Sequence, residues 1–501
     1  MKRPFKKILI ANRGEIALRV IRACHEWGIR VVAVYSEPDR QSLHVRRADE
    51  AYCIGPASSQ KSYLAGDRII ALAKKVGCEA IHPGYGFLAE NGDFAQACED
   101  AGLVFIGPNP QAMRAMGDKT RARRNVGGVG VPIIPGTMKG VSRFDLMRKS
   151  ANEMGYPVLI KAALGGGGKG MRICRDEEEL ESGFELCRKE AQSAFGNPTL
   201  YLEKYIEKPR HIEFQILADH FGKTIHLGER ECSIQRRHQK LVEEAPSVAI
   251  DEMLRSTMGE AAVAAAKAVG YTNAGTIEFL LDENKNFYFL EMNTRLQVEH
   301  PVTELITGID LVYEQLRIAA GNKLALDQGK IRRTGHAIEC RIYAEDPDTD
   351  FLPSCGKIQR LREPAGPGVR VDSGIYQGYE IPVYYDPLIA KLLVWGPDRK
   401  VAIRRMHRAL SEYTITGIKT TIGFLQRVAE DVRFRRGNFD THFIDETEKK
   451  EICVPKEDVR AAGIVAALAF HTQRGMGGRR SKEETVGLNP WKLAGRREAL
   501  D

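Results

Sequence analysis

Residues 291–299, EMNTRLQVE, set Glu291, Asn293, Arg295, Gln297 and Glu299 at every second position, with Met292, Thr294, Leu296 and Val298 between them. Side chains two apart on a strand share a face, so two carboxylates, two amides and a guanidinium stand in one row. A solvated sheet edge also alternates polar with apolar residues. This row lacks the Thr, Lys and β-branched residues that such edges favour, and the preceding run from Phe287 to Leu290 is wholly apolar, as in a strand arriving from the interior. Fully extended, the row would cover about 26 Å. That is too long for one small site, so the chain is expected to leave the strand near its middle and to serve two neighbouring functions.

The first of these is a divalent-metal site. TIEFLLDENKNFYFLEMN reads as a β-hairpin, and with Asn284 and Lys285 as a two-residue loop Glu278 falls directly opposite Glu291. Like charges facing each other across a ladder repel. A cation between them removes the repulsion, Asn293 adds a third oxygen, and such hard donors suit Mg²⁺ or Mn²⁺ completed by phosphates and water. Protonation of one carboxyl, or solvent screening, would relieve the repulsion as well. Upstream, the strand Tyr156 to Ala162 and its hairpin partner Met171 to Cys174 flank Gly165 to Gly168. Four adjacent glycines expose backbone N–H groups to phosphates, although a merely flexible hairpin would look the same. The loop is not a Walker A motif, because Lys169 is followed by Gly170. Lys119 and Lys161 could neutralise phosphate charge during phosphoryl transfer.

The elements that must position these groups read as α/β followed by α+β. KKILIA, NRGE, IALRVIRACHEWG and IRVVAVY give strand, turn, helix and strand, with Gly28 as the helix stop. The alternation continues to LVFIGP and makes residues 1–115 a parallel α/β domain. Its first turn has one glycine, Gly14, where a dinucleotide fingerprint needs three, so a nicotinamide cofactor is not expected. Residues 116–334 follow as a central domain with a mobile lid over about 135–202, then a third domain over 335–446, then a charged linker and tail over 447–501. With 43% hydrophobic and 28% charged residues the chain has the composition of a soluble globular protein. Its longest apolar run, Ala461 to Phe470, is half of the roughly 20 residues a membrane helix needs, and no secretory signal follows the basic start; a cytoplasmic protein is expected. The ten cysteines form neither a zinc pattern nor a disulfide framework, and the net charge of +8 comes without a nucleic-acid-binding signature.

ANRGEIALRV, HPGYGFLAEN, MGDK, KAALGGGGKGMR, EKYIEKPRHIE, ERECSIQRRHQKLVEEAP, EMNTRLQVEHPVTE and GHAIECRIYAED together resemble biotin carboxylase, an ATP-grasp enzyme, in the family's order across about residues 5 to 446. The resemblance implies an ATP-grasp fold with an N-terminal Rossmann-like domain and a C-terminal biotin carboxylase domain. It also implies a reaction in which ATP and bicarbonate give carboxyphosphate, which carboxylates N1′ of biotin carried on a separate protein. Glu278, Glu291 and Asn293 match the family's metal ligands for Mg²⁺ or Mn²⁺, and Lys240, Arg295, Gln297 and the backbone of Val298 its bicarbonate site. Glu299 matches the general base and Arg341 the arginine that stabilises the biotin enolate. For ATP the matching positions are Lys119, Lys161, Gly165, Gly166, Met171, Glu203, Lys204, His211, Gln235 and His238.

Three stretches depart from the family pattern: NVGGVG at 125–130, whose glycines would cost about 1 kcal/mol each inside a helix and loosen the lid hinge, Leu164 in the lid, and Cys355 in PSCG. No Met-Lys-Met biotinylation motif appears, so a biotin carboxyl carrier protein and a carboxyltransferase subunit are expected on separate chains, with this chain a homodimer that binds neither nucleic acid nor membrane. The carboxyl acceptor, pyruvate or an acyl-CoA such as acetyl-CoA, stays open. Two other readings also stay open: another ATP-grasp ligase that makes an acyl phosphate, and a non-catalytic nucleotide- or nucleic-acid-binding subunit.

Overall fold

The first strand, Lys7–Ile10, buries Ile8, Leu9 and Ile10, and after a tight turn the helix Gly14–Glu26 lays Ile16, Ala17, Val20, Ile21 and Cys24 against it. Gly28, at φ +70°, ends that helix in the left-handed conformation the sequence assigns to it. Five parallel strands follow in the order Glu50–Gly55, Arg30–Ser36, Lys7–Ile10, Ala80–His82, Val104–Phe105. These features come from a computed structural model that describes residues 4–137, 139–163 and 170–448. The chain divides into two compact units, Met1–Asp445 and Glu446–Asp501, and the sheets and helices that carry the site belong to the first. The sequence also gives one helix in the tail, Asp458 to His471; that segment, the glycines Gly165 and Gly166, and Leu164 lie outside the described residues.

A three-stranded antiparallel sheet, Met171–Cys174, Val158–Ala162 and Leu200–Lys204, packs with the helices Phe144–Met154 and Glu177–Phe195 around Ile160, Phe184 and Leu202. Lys161 pairs with Met171, which is the expected hairpin. The glycines at 125–130 do not sit inside a continuing helix. The helix Lys119–Gly127 stops there, Gly128 caps it, and Gly130 takes φ +80°, so the helical penalty falls on Gly127 alone. Cys355 is exposed.

Eight antiparallel strands carry the site, in the order Phe287–Asn293, Asn273–Leu281, Arg210–Ala218, Thr224–Arg236, Gln239–Ala245, His336–Tyr343, Leu388–Gly396, Val369–Ser373. Val242 pairs with Cys340, so strands of the third segment extend the sheet of the second. Two sequence expectations need correcting here. Phe287–Asn293 does not arrive from the interior: it is the edge strand of this sheet, with Phe287, Tyr288 and Leu290 only half-buried, and its open side is covered where Phe289 N–H donates to the Pro132 carbonyl at 2.7 Å. Glu278 does face Glu291, but not through a two-residue loop. Asp282 and Asn286 close a three-residue loop with Lys285 at φ +67°, Asp282 Oδ1 accepting from the N–H groups of Asn284 and Asn286, and an irregularity between Glu278 and Phe279 restores the register.

Buried ion pairs fasten the sheet. Glu244, 2% exposed, accepts from Arg399 Nε at 2.7 Å and lies 2.7 Å from His336 Nε2. Burial pushes its acid upward, but His336 and Arg399 outweigh burial and lower it from 4.5 to about 2. A carboxyl depressed on folding stabilises the fold above its unfolded pKa and loses that contribution as pH falls towards the folded value. Glu244→Gln is therefore expected to cost on the order of 3 kcal/mol at neutral pH and to flatten the decline of stability between pH 4.5 and 2, read by urea unfolding across that range.

Candidate functional site

The polar row leaves the strand after Asn293, the second of its five polar positions and so earlier than the middle expected from its length. Thr294 to Val298 form a turn, and the helix His300–Thr307 begins directly after Glu299, with Pro301 in its first turn. On the strand side, Glu278 Oε1 accepts from Asn293 Nδ2 at 2.8 Å and from Lys240 Nζ at 3.0 Å, and Glu278 Oε2 lies 2.9 Å from His211 Nε2. Glu291, on the facing strand, pairs with Lys119 Nζ at 3.5 Å. On the turn side, Arg295 is aimed by Glu90 Oε2 at 3.0 Å, Gln297 Oε1 at 3.1 Å and Asn293 Oδ1 at 3.3 Å. The row thus serves two adjoining places, joined at Asn293.

Lys240 ties them together. Its ammonium donates to Glu213 Oε2 at 2.6 Å, Glu278 Oε1 at 3.0 Å and Glu299 Oε1 at 2.6 Å. The second oxygen of Glu299 accepts from Arg341 Nη2 at 2.8 Å, while Arg341 Nε donates to Glu243 Oε1 at 2.5 Å. Glu299 is fully buried, and burial would raise its acid, yet Lys240, Arg341 and Arg230 hold it well below the ordinary carboxyl range. Glu278 is likewise depressed: Lys240 and His211 overcome its burial. Neighbouring carboxyls go the other way. Glu243 is pushed up to about 7 and Glu339 well above the usual value, in both cases first by burial. The cluster therefore favours the ionised form at Glu278 and Glu299 and raises the proton affinity of Glu243 and Glu339.

Among residues expected at a nucleotide, Lys161 Nζ pairs with Glu203 Oε2 at 2.6 Å, and Arg123 binds the other oxygen of Glu203. Met171 stands across the ladder from Lys161, and Gln235 across from Lys240. His238 sits at a hairpin tip with φ +66°. Lys204 is turned aside, its ammonium donating to the carbonyls of Gly155 and Tyr156 at 3.1 and 3.0 Å. The carbonyl of Val298 accepts from Lys391. A divalent cation finds hard oxygen donors in Glu278, Glu291 and Asn293, with Glu278 already ionised. His211, Glu213 and Glu278 also converge, but Lys240 occupies the space next to two of them.

Sequence reasoning missed Glu213, Arg230, Glu243, Glu339 and Lys391. Arg230, fully buried, donates to Glu213 Oε1 at 2.5 Å, Gln215 Oε1 at 2.7 Å and Thr276 Oγ1 at 3.0 Å. The signal was available: His211, Glu213 and Gln215, and again Glu339, Arg341 and Tyr343, repeat the alternate-position polar row of 291–299 on other strands. Lys391 gave no such signal, standing alone in LIAKLLVWG.

Family models match residues 4–113 (biotin carboxylase, N-terminal domain), 118–327 (carbamoyl-phosphate synthase L chain, ATP binding domain) and 339–446 (biotin carboxylase C-terminal domain). A biotin carboxylase of Nostoc sp. is 58% identical over 89% of this chain and 100% of its own length. The methylcrotonoyl-CoA carboxylase subunit alpha of Dictyostelium discoideum is 49% identical over 98% of this chain and 70% of its own, a match that runs into the tail. The biotin carboxylase domain dimer of Hydrogenobacter thermophilus 2-oxoglutarate carboxylase, solved with MgADP, ADP and bicarbonate, superposes with a TM-score of 0.86 at 54% identity, covering 88% of this chain and 97% of that one. The fold is the ATP-grasp architecture with N- and C-terminal biotin carboxylase domains, and the chain belongs to the biotin carboxylase family.

Proposed function

We propose that this chain carboxylates biotin on a carrier protein, using ATP and bicarbonate, as the biotin carboxylase subunit of a biotin-dependent carboxylase. The observation that carries the reading is Glu299, a buried carboxylate kept ionised between Lys240 and Arg341, four residues from the aimed guanidinium of Arg295. Bicarbonate binds against Arg295 and Gln297, with the ammonium of Lys240 on its flank. Its proton passes to Glu299, and the resulting anion attacks the γ-phosphate, releasing ADP and leaving carboxyphosphate. A carboxylate held so low is a weak base towards free bicarbonate. The same cations that depress Glu299 also acidify bicarbonate bound beside them, and this brings the two proton affinities together. Carboxyphosphate then splits into CO₂ and phosphate, phosphate takes the N1′ proton of biotin, and N1′ bonds to CO₂; Arg341 faces biotin and offsets the enolate charge that develops once that proton has left. Arginine suits that task because it cannot lose its own proton and grips in a fork.

Glu278, Glu291 and Asn293 would hold Mg²⁺, which when bound neutralises phosphate charge. Lys119 and Lys161 add fixed positive charge for the nucleotide, with Lys161 steered by Glu203. Glu291→Gln is expected to raise the Mg²⁺ needed for half-maximal ADP release by at least the roughly 10-fold that losing an outer-shell partner costs, leaving bicarbonate affinity unchanged, as a titration of Mg²⁺ at saturating ATP would show. The function itself is tested by radiolabelled bicarbonate: label should enter free biotin only when ATP and Mg²⁺ are present. ATP-driven fixation into another acceptor, with none into biotin, would favour the reading as a different acyl-phosphate ligase.

The partners in this reading are a biotin carboxyl carrier protein, a carboxyltransferase subunit and a second copy of the chain, in the cytoplasm. Among the described residues no helix is long and apolar enough to cross a membrane. The match to a methylcrotonoyl-CoA carboxylase subunit alpha, which takes in most of this chain's own tail, favours an acyl-CoA over pyruvate as final acceptor.

A further inference from the structure

Beside Arg341 on the central sheet stands a second buried cation with no part in the chemistry above. Lys391 is its direct neighbour across the ladder, and Asp372 of the next strand continues the row. Lys391 is fully buried, where an ammonium is costly unless it is paired and hydrogen-bonded. Its Nζ donates to the carbonyl of Val298 at 2.8 Å, pairs with Glu15 Oε1 at 3.3 Å and lies 4.0 Å from Asp372 Oδ2. Two adjacent cations on the sheet thus grip two consecutive residues of the turn: Lys391 holds the backbone of Val298, Arg341 the carboxylate of Glu299. The Val298 carbonyl and the Glu299 N–H lie in one rigid peptide plane, so fixing that carbonyl fixes where the Glu299 side chain begins.

Glu15 anchors the other end, and it comes from the N-terminal domain. It follows the first turn in ANRGEIALRV, is buried, and accepts from the Tyr85 hydroxyl of HPGYGFLAEN, whose backbone carbonyl in turn accepts from Asn12 Nδ2 at 2.7 Å. Burial raises the Glu15 acid to about 6 against the pull of Lys391. ANRGEIALRV, which contacts none of the chemistry directly, is joined to it through this ammonium, and HPGYGFLAEN, whose Glu90 already aims Arg295, gains a second tie through Tyr85.

We propose that Lys391, held by Glu15 and Asp372, is a positioning residue that sets the Val298–Glu299 peptide for bicarbonate without touching substrate. The proposal rests on the reading of the Arg295 to Glu299 turn as the bicarbonate site. It is tested by ADP release from the full chain, with ATP and bicarbonate varied separately. Lys391→Met keeps the aliphatic stem and removes the charge. It should lower kcat/KM for bicarbonate by up to about 100-fold, the scale of a slightly displaced reacting group, while the KM for ATP stays within about twofold. Lys391→Arg should restore part of the loss. Glu15→Gln should cause a smaller fall in the same parameter, and the double variant should fall no further than Lys391→Met alone. If Lys391→Met does not fold by circular dichroism, Glu15→Gln and Lys391→Arg carry the test by the same split between bicarbonate and ATP. Folded variants with unchanged bicarbonate kcat/KM, or with ATP and bicarbonate parameters falling together, overturn the positioning role. A wild-type chain indifferent to bicarbonate would instead overturn the underlying site reading.

Discussion

Replacing Glu299 with glutamine is expected to lower bicarbonate-dependent ADP release by roughly 10²- to 10⁴-fold, the range a general base contributes, with little change in the KM for ATP. Glutamine has nearly the same shape but cannot take the proton. The surroundings tolerate the change, because each cation that touches Glu299 has other partners: Lys240 keeps Glu213 and Glu278, and Arg341 keeps Glu243. Without those partners, removal of one member of a buried ion pair would cost about 3–5 kcal/mol. The check is steady-state ADP release at saturating bicarbonate on protein whose circular dichroism matches wild type. Activity within about 10-fold of wild type would remove Glu299 from the role of base.

Arg341→Ala is expected to abolish carboxylation of free biotin, by at least the roughly 10²- to 10³-fold that one oxyanion donor supplies. Sequence alone suggests that bicarbonate-dependent ATP cleavage would be spared. The 2.8 Å contact from Arg341 Nη2 to Glu299 changes that expectation. Arg341 is one of the charges that hold Glu299 ionised, so its loss raises the proton affinity of Glu299 and moves the acidic limb of ATP cleavage to higher pH. ADP release should survive at alkaline pH and fall more steeply than wild type on acidification. Arg341→Lys should not rescue biotin carboxylation, because one ammonium cannot replace a fork that donates from Nε to Glu243 and from Nη2 to Glu299 at once. A pH profile that coincides with wild type in Arg341→Ala would show that the guanidinium does not govern Glu299.

The site was legible where side-chain period and chemistry coincide. The alternate-position row of 291–299 announced a polar face and its length announced a break within it; the structure has that break after Asn293, two residues before the row's middle. Glu278 was found opposite Glu291 although the loop was read one residue too short; the irregularity beside Phe279 cancelled the error, which no count along the sequence could foresee. The edge position of Phe287–Asn293 was misread because its apolar run is covered by Pro132 and Ile133, a contact between distant residues. For the same reason Lys391 was invisible: its partners Glu15, Val298 and Asp372 are far apart in the chain and meet only in the fold. Strand order escaped as well, since alternation marks which face of a strand is buried but not which strand lies beside it. The pairing of His336–Tyr343 with Gln239–Ala245, which brings Arg341 to Glu299, is of that kind.

The most direct measurement of the central claim is ADP release by the purified wild-type chain with Mg²⁺ in CO₂-free buffer, with bicarbonate added and then free biotin. Glu299 and Arg295 as a bicarbonate-activating pair predict that ADP release requires bicarbonate and rises when biotin is supplied. Equal ATP cleavage without bicarbonate would contradict that assignment and require a different substrate for the turn between Arg295 and Glu299.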